Sequence, residues 1–161
     1  MNEVSGILIK EKSSKGVLRF TMNNLDQKNA LSETMISILK DELEDASTDQ
    51  SIRVIVLAAN GNVFCSDHDL KEITSARENQ DNGHAFFQRL FDHCSILMQL
   101  IVNSPQPVIA EVDGIATAAG CQLVASCDLA IASTESKFAT PGVNIGLFCS
   151  TPMVALSRNV Q

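Results

Sequence analysis

Two short stretches combine residue types that can act on a small molecule. Residues 66–69 read SDHD, a histidine between two aspartates, and residues 114–120 read GIATAAG, in which most side chains are small. Each stretch follows an apolar run and leads into a helical pattern. The first N–H groups of a helix have no partner inside it and carry the positive end of its dipole. Two such turns on neighbouring strands can direct one N–H each at a single oxygen and so form an oxyanion hole.

The elements that hold these turns follow from the hydrophobic pattern. The predicted elements are, in order, a hairpin of 6–12 and 16–22, a helix capped by Ser32, a strand at 53–59, a helix at 84–103, and strands at 108–112 and 128–133. Strands that are nearly all apolar and alternate with helices predict a parallel sheet covered by helices, an α/β fold. Residues 75–83 are predicted to be a mobile polar segment, and 137–152 a loop followed by an apolar tail.

Composition and charge exclude several classes of protein. The chain has 161 residues, a size that predicts one domain over 1–161, and a net charge of -7, which argues against nucleic-acid binding. No apolar run reaches the ~18 residues of a membrane helix, and the N-terminus lacks a secretory pattern. We therefore expect a soluble intracellular protein that binds no membrane, located in the cytoplasm or, alternatively, in the mitochondrial matrix.

The five cysteines are scattered and lie mostly in apolar runs. Their spacing fits neither a zinc site nor a disulfide scaffold. We expect reduced core thiols and no metal.

Three stretches resemble the crotonase family, the enoyl-CoA hydratases and isomerases. VLAANGNVFCSDHDL (56–70) is similar to the first family signature, and PVIAEVDGIATAAGCQLVASCDLAIASTESKFATPGVNIGL (107–147) to the second. NLDQKNAL (24–31) resembles the loop that lies along coenzyme A. The matches keep the family's order and spacing from about residue 6 to 158. The GLFCSTP and DHDL stretches further indicate one subgroup of the family.

The resemblance implies a fold, a ligand and an assembly. The fold would be the crotonase-like spiral of ββα units, here truncated after the core, because the family's C-terminal helical region is missing from the chain. The ligand would be an acyl-CoA thioester, with no permanently bound cofactor. The assembly would be a homo-oligomer, a trimer or hexamer in this family, although the missing region makes another assembly equally compatible.

The resemblance also assigns roles to individual positions. The backbone oxyanion donors fall on His68 and Ala119, and the two hydratase glutamates on Gln122 and Gly142. The positions assigned to substrate binding are Lys28, Asn29, Ala30, Ser66, Asp67, Asp69, Leu70, Gly114, Ala116 and Ala118.

The two glutamate positions are where the chain departs from the family. Neither Gln122 nor Gly142 can titrate, and positioned acid–base catalysis contributes about 10² to 10⁴ in rate. We therefore expect weak or no hydratase activity. Family membership favours an enzyme of the lyase or isomerase class, such as one that stabilises an enolate in other acyl-CoA chemistry. An inactive thioester-binding protein and an assembly subunit with a relic pocket remain open.

The other reactive groups near the motifs have simpler interpretations. Asp69 is predicted to cap the following helix, His68 to point its ring to solvent, and Asp67 to replace a family glycine. Glu72 and Glu111 are the remaining acids near the motifs, and Glu111 is expected to be paired. Cys149 lacks a histidine partner in sequence reach, which argues against a nucleophile there.

Overall fold

A computed structural model describes residues 2–160, with side chains described from Gly6 onward. The strands are β1 (Asn2–Ser5), β2 (Leu8–Lys12), β3 (Val17–Met22), β4 (Val54–Ala59), β5 (Val63–Cys65), β6 (Val108–Val112), β7 (Ile115–Thr117), β8 (Leu129–Ala132) and β9 (Lys137–Ala139). The helices are α1 (Glu33–Thr48), α2 (Leu70–Ala76), α3 (His84–Val102), α4 (Ala119–Ser126) and α5 (Ser150–Asn159), with 3-10 turns at Leu25–Gln27 and Pro141–Ile145.

Two sheets organise the chain. The larger has the order β1-β2-β3-β4-β6-β8, in which the first three strands pair antiparallel and the others parallel. The smaller sheet, β5-β7-β9, is parallel throughout. After β4, β6 and β8 the chain crosses directly into the smaller sheet, and a helix follows each crossing. This repeat is the spiral of ββα units, and the predicted α/β class and hairpin are confirmed.

The two long helices form where their sequence patterns predict. Ser32 caps α1, because its hydroxyl oxygen accepts a hydrogen bond from the N–H of Met35 at 3.1 Å. One face of each helix packs into the aliphatic core between helices and sheet. Phe91 of α3 is different, since 56% of it is exposed even though it shares the apolar periodicity of the helix.

The C-terminal stretch is more ordered than the prediction of a loop and tail. It contains β9, a 3-10 turn and the helix α5. β5, β7 and β9 were not predicted from the sequence, because strands of three residues are too short to show alternation. In the segment predicted to be mobile, Asp81 fixes the start of α3 by accepting from the N–H groups of Gly83 and Ala85.

Over residues 2–160, no helix combines the length and apolar character needed to cross a membrane.

The five cysteines are unpaired thiols, as expected. Four are buried and Cys149 is half-buried. Burial raises the pKa of Cys65 and of Cys127 to about 12, so both are protonated at neutral pH. Their role is to fill the core.

Candidate active site

The smaller sheet brings the two candidate turns together. β5 and β7 are parallel neighbours, with Cys65 opposite Ala116. The hydroxyl of Thr117, at the end of β7, donates to the carbonyl oxygen of Ser66 at 2.7 Å. A Cβ added at Gly120 would lie 2.3 Å from the carbonyl oxygen of Cys65, so only glycine fits there. The turns therefore meet through backbone packing at adjacent strand ends.

The second turn presents a backbone N–H to the first. Ala118 has φ 49° and ψ -116°, a conformation that glycine adopts easily and alanine does not. Its N–H donates to the carbonyl oxygen of Ala139 at 2.9 Å. The N–H of Ala119, the first residue of α4, donates to the carboxylate oxygen Oδ1 of Asp67 at 3.1 Å. An oxygen atom thus already occupies the acceptor position of one predicted oxyanion donor.

The first turn is held by its own polar side chains. Asp69 caps α2, as predicted, because its Oδ1 accepts from the N–H of Lys71 at 2.8 Å and from that of Glu72 at 3.4 Å. Its second oxygen, Oδ2, is buried without a partner in the described part of the chain. The carbonyl oxygen of Asp67 accepts from the N–H of Leu31 at 2.7 Å, which ties the turn to the loop 24–31.

The prediction that the His68 ring points to solvent is wrong. The side chain is half-buried, with Nδ1 3.3 Å from the carbonyl oxygen of Leu31 and the ring in a T-shaped contact with Phe91, centroids 5.7 Å apart. The His68 ring thus packs against part of the Phe91 ring, and the rest of Phe91 stays exposed. Among the hydrogen bonds of residues 2–160, the backbone N–H of His68 makes none, so this predicted donor is open.

A cavity of about 690 Å³ lies between α3, α4 and α5. His68, Phe91 and Gln122 contribute to its wall, together with apolar side chains such as Met98 and Val154. The side-chain amide of Gln122 makes no hydrogen bond within residues 2–160. A cavity of this size and lining is typical of sites for small organic ligands. Gln122 therefore shares the cavity with His68, as the assignment of both to one site requires.

A second cavity, of about 310 Å³, lies on the other side of His68. Five residues assigned to substrate binding line it, namely Lys28, Ala30, Ser66, Asp69 and Leu70. His68 is the residue common to both cavities. The two spaces are thus separated by the turn that carries the open N–H.

Three other residues assigned to substrate binding form scaffold contacts. The buried side chain of Asn29 accepts from the N–H of Asn24 at 2.8 Å and donates to two carbonyl oxygens across the neighbouring turn. Gly114 packs against Asn62, whose carbonyl oxygen would be 2.2 Å from an added Cβ, and borders a different depression. Ala116 is fully buried in β7. These three residues belong to the packing of the turns and line neither of the two cavities around His68.

Gly142 is buried in the 3-10 turn after β9. A Cβ there would lie 2.6 Å from Sγ of Cys149 and 2.9 Å from the carbonyl oxygen of Leu147. Cys149 therefore fills the space into which a side chain at position 142 would grow. Neither this packing role nor the part of Phe91 in the cavity wall was predictable from the sequence. Residue spacing does not specify the direction of a side chain inside a loop or at the edge of a helical stripe.

The remaining acids near the motifs are engaged elsewhere. Glu72 accepts from the N–H of Glu33 at 3.0 Å, and burial raises the pKa of its carboxyl group. Glu111 is exposed on β6 and forms a two-point pair with Arg19, which lowers the pKa of Glu111, so the expected pairing is confirmed. Neither carboxylate lines the two cavities around His68.

These features define a class of protein. The enoyl-CoA hydratase/isomerase family profile matches residues 12–160, and the chain belongs to this family, within the crotonase superfamily. The structure of an enoyl-CoA hydratase from Mycobacterium smegmatis has a TM-score of 0.88 and 47% identity, over 97% of this chain and 59% of that one. The predicted fold and family are thereby confirmed.

The predicted subgroup is confirmed as well; it is that of enoyl-CoA hydratase domain-containing protein 3. The Xenopus laevis protein of that name is 53% identical over 90% of this chain and 48% of its own length. The human protein is 48% identical over 90% of this chain and 46% of its own length. The crystal structure of the human protein has a TM-score of 0.85 and 45% identity, over 94% of this chain and 58% of that one. The chain spans about half the length of these curated relatives, whose names carry the word mitochondrial.

Proposed function

We propose that the protein binds an acyl-CoA thioester with its carbonyl oxygen between the backbone N–H groups of His68 and Ala119. The observation that carries the proposal is the hydrogen bond from the N–H of Ala119 to Oδ1 of Asp67, 3.1 Å long. That oxygen stands in for the thioester oxygen. The open N–H of His68 on the facing turn supplies the second donor.

The two cavities support a division of the ligand between them. The larger one, whose wall includes Phe91 and Met98, takes the acyl chain beside Gln122. The smaller one, beside Lys28 and the loop 24–31, takes the coenzyme A part, as the resemblance implies. His68 lies between them, where the thioester joins the two parts.

Hydratase activity is proposed to be weak or absent. Gln122 faces the acyl cavity but is an amide, and the space beside Gly142 is filled by Cys149. A site with oxyanion donors but no proton-transfer group binds and polarises a thioester without adding water to it. The hydrogen bond between Ala119 and Asp67 also favours a second candidate function, an assembly protein whose pocket is a relic. That bond makes one of the two N–H donors unavailable to a ligand.

Assembly and location are further parts of the proposal. Large apolar side chains of the C-terminal third are exposed, including Ile131, Ile145 and Phe148. Such a surface is typical of one that is buried in an assembly, which supports the homo-oligomer implied by the family. The names of the relatives favour the mitochondrial matrix over the cytoplasm.

Calorimetry with free coenzyme A and octanoyl-CoA tests the thioester site. We expect octanoyl-CoA to bind at least tenfold more tightly, because each buried methylene contributes about 0.8 kcal/mol. Gln122→Phe, which fills the acyl cavity, should remove this preference and leave binding of free coenzyme A unchanged. Gln80→Phe, the same change on an exposed segment, is the control.

Two outcomes would contradict the proposal. Equal affinity for both ligands in the unmodified protein excludes the acyl cavity. Hydration of crotonyl-CoA at ordinary enzyme rates of ~1–10³ per second excludes the loss of catalysis.

A further inference from the structure

Asp67 occupies the position that the ligand's oxygen would need. Its Oδ1 accepts the N–H of Ala119, and a single N–H cannot donate fully to a carboxylate and to a thioester oxygen at once. We propose that Asp67 is an intramolecular competitor for the oxyanion hole, and that it determines how well the site distinguishes a thioester from free coenzyme A. This inference rests on the proposed function, because it concerns the same hole.

The backbone at Asp67 supports the inference. Its φ of 125° lies in a region that is open to glycine and costs other residues about 1–3 kcal/mol. The related family signature carries glycine at this position. Here the carbonyl oxygens of Ser66 and Asp67 are fixed by Thr117 and Leu31, so the turn keeps its course. The side chain is thereby directed at Ala119 from a strained but anchored backbone.

The chemistry of the two acceptors favours the carboxylate. A hydrogen bond to an ionised acceptor is stronger than one to a neutral carbonyl. A thioester oxygen must therefore displace the better acceptor before it can use the Ala119 N–H. The displaced carboxylate would remain beside the thioester, where its charge opposes any negative charge that develops on that oxygen. Asp67 thus weakens recognition of the thioester carbonyl and also disfavours enolate chemistry.

A comparison of acetyl-CoA with free coenzyme A measures this effect. The two ligands share the nucleotide and pantetheine parts and differ by the acetyl group, a thioester carbonyl with one methyl. In the unmodified protein we expect similar affinities, because one donor is taken. Apparent affinity falls with the fraction of sites that is competent to bind, so freeing Ala119 should raise the preference for acetyl-CoA.

The variants Asp67→Asn and Asp67→Gly test the side chain in the full-length protein. Asp67→Gly should raise the ratio of the two affinities about tenfold or more, a change of about 1.4 kcal/mol. Asp67→Asn keeps the shape but removes the charge, and should give a smaller rise. Asp45→Asn, at an exposed position of α1, removes the same charge elsewhere and should leave the ratio unchanged, since it affects both anionic ligands alike.

A measurement without ligand separates this proposal from the proposed function. Amide hydrogen exchange at Ala119, followed by NMR, should be faster in Asp67→Gly than in the unmodified protein and unaffected by Asp45→Asn. Binding of both ligands with an unchanged ratio in Asp67→Gly overturns the competitor, and the acyl cavity is then judged separately by the comparison of octanoyl-CoA with free coenzyme A. If no variant binds either ligand, the proposed function fails, and unchanged exchange at Ala119 would show that Asp67 does not hold that N–H either.

Discussion

The two turns that meet at the candidate oxyanion hole are built in opposite ways. The turn after β5 is polar and is held by side chains, with Asp69 capping α2 and Asp67 reaching the N–H of Ala119. The turn after β7 is small and is held by backbone, with Ala118 bonded to Ala139 and Gly120 packed on Cys65. The difference shows which parts of the site are structurally constrained and which side chains are free to change the chemistry.

The small turn has no room for a larger residue at position 120, because a Cβ at Gly120 would clash with the backbone of Cys65. The polar turn accommodates a side chain at a position with a glycine-like conformation, since Asp67 has a φ of 125°. Donor geometry is therefore a property of the fold, whereas the acid, base or competitor at the site is a property of individual side chains. The following predictions test that division, beginning with the largest effect.

If the site lacks only the two glutamate side chains at positions 122 and 142, restoring those carboxylates should restore the hydration of crotonyl-CoA. We expect the variant Gln122→Glu, Gly142→Glu, Cys149→Ala to raise the rate of crotonyl-CoA hydration by about 10² to 10⁴ when it is built, like its control, on Asp67→Gly, so that the Ala119 N–H is free for the thioester oxygen. The change at Cys149 removes the Sγ that would lie 2.6 Å from a Cβ at position 142, and the carbonyl oxygen of Leu147, at 2.9 Å, must still shift to admit the side chain. The measurement is the loss of the conjugated enoyl absorbance.

The control for this variant is Asp67→Gly with Gln122→Glu alone, which supplies one of the two carboxylates and should gain less. A folded variant with all of these changes that binds crotonyl-CoA but gains nothing would contradict the division between backbone and side chains. It would show that the donors are misplaced for catalysis.

Growth of the small turn should cost stability. We expect Gly120→Ala to lower the free energy of unfolding by more than about 2 kcal/mol, since its Cβ would lie 2.3 Å from the carbonyl oxygen of Cys65. Gly146→Ala is the matched control. Unlike Gly120, Gly146 has a positive φ of 75°, which is unfavourable for alanine, but no heavy atom lies within 4 Å of the added Cβ, so the change should cost only about 1 kcal/mol. Urea unfolding measures both, and equal losses would remove the argument from backbone contact.

Much of the fold was predictable because long apolar patterns in the sequence specify its main strands and helices. The run at 53–59 and the helix from Ser32 were recognised from burial and capping signals that act locally. The short strands β5, β7 and β9 were not, because three residues carry too little pattern and are fixed by pairing with distant strands. The meeting of the two turns was nevertheless expected, since parallel neighbouring strands end at the same edge.

The site was predictable in its backbone and less so in its side chains. Asp69 was recognised as a cap because that interaction lies within three residues. The bond from Ala119 to Asp67 joins residues 52 apart in sequence, and the contact of His68 with Phe91 depends on how α3 packs. Such contacts arise from tertiary packing, which residue spacing does not specify.

The smallest predicted effect concerns the strain stored in the small turn. Ala118 has φ 49° and ψ -116°, so Ala118→Gly relieves about 1–3 kcal/mol of strain. It also loses a buried methyl group, about 0.8 kcal/mol, and gains unfolded-state entropy, about 0.5–1 kcal/mol. These terms bracket a change between a loss of about 0.8 and a gain of about 1.7 kcal/mol, and we expect a gain of about 0.5 kcal/mol, measured by urea unfolding. Ala125→Gly, within α4, has no strain to relieve and should lose about 1 kcal/mol. Equal losses at both positions would mean that the backbone at Ala118 stores no strain that glycine relieves.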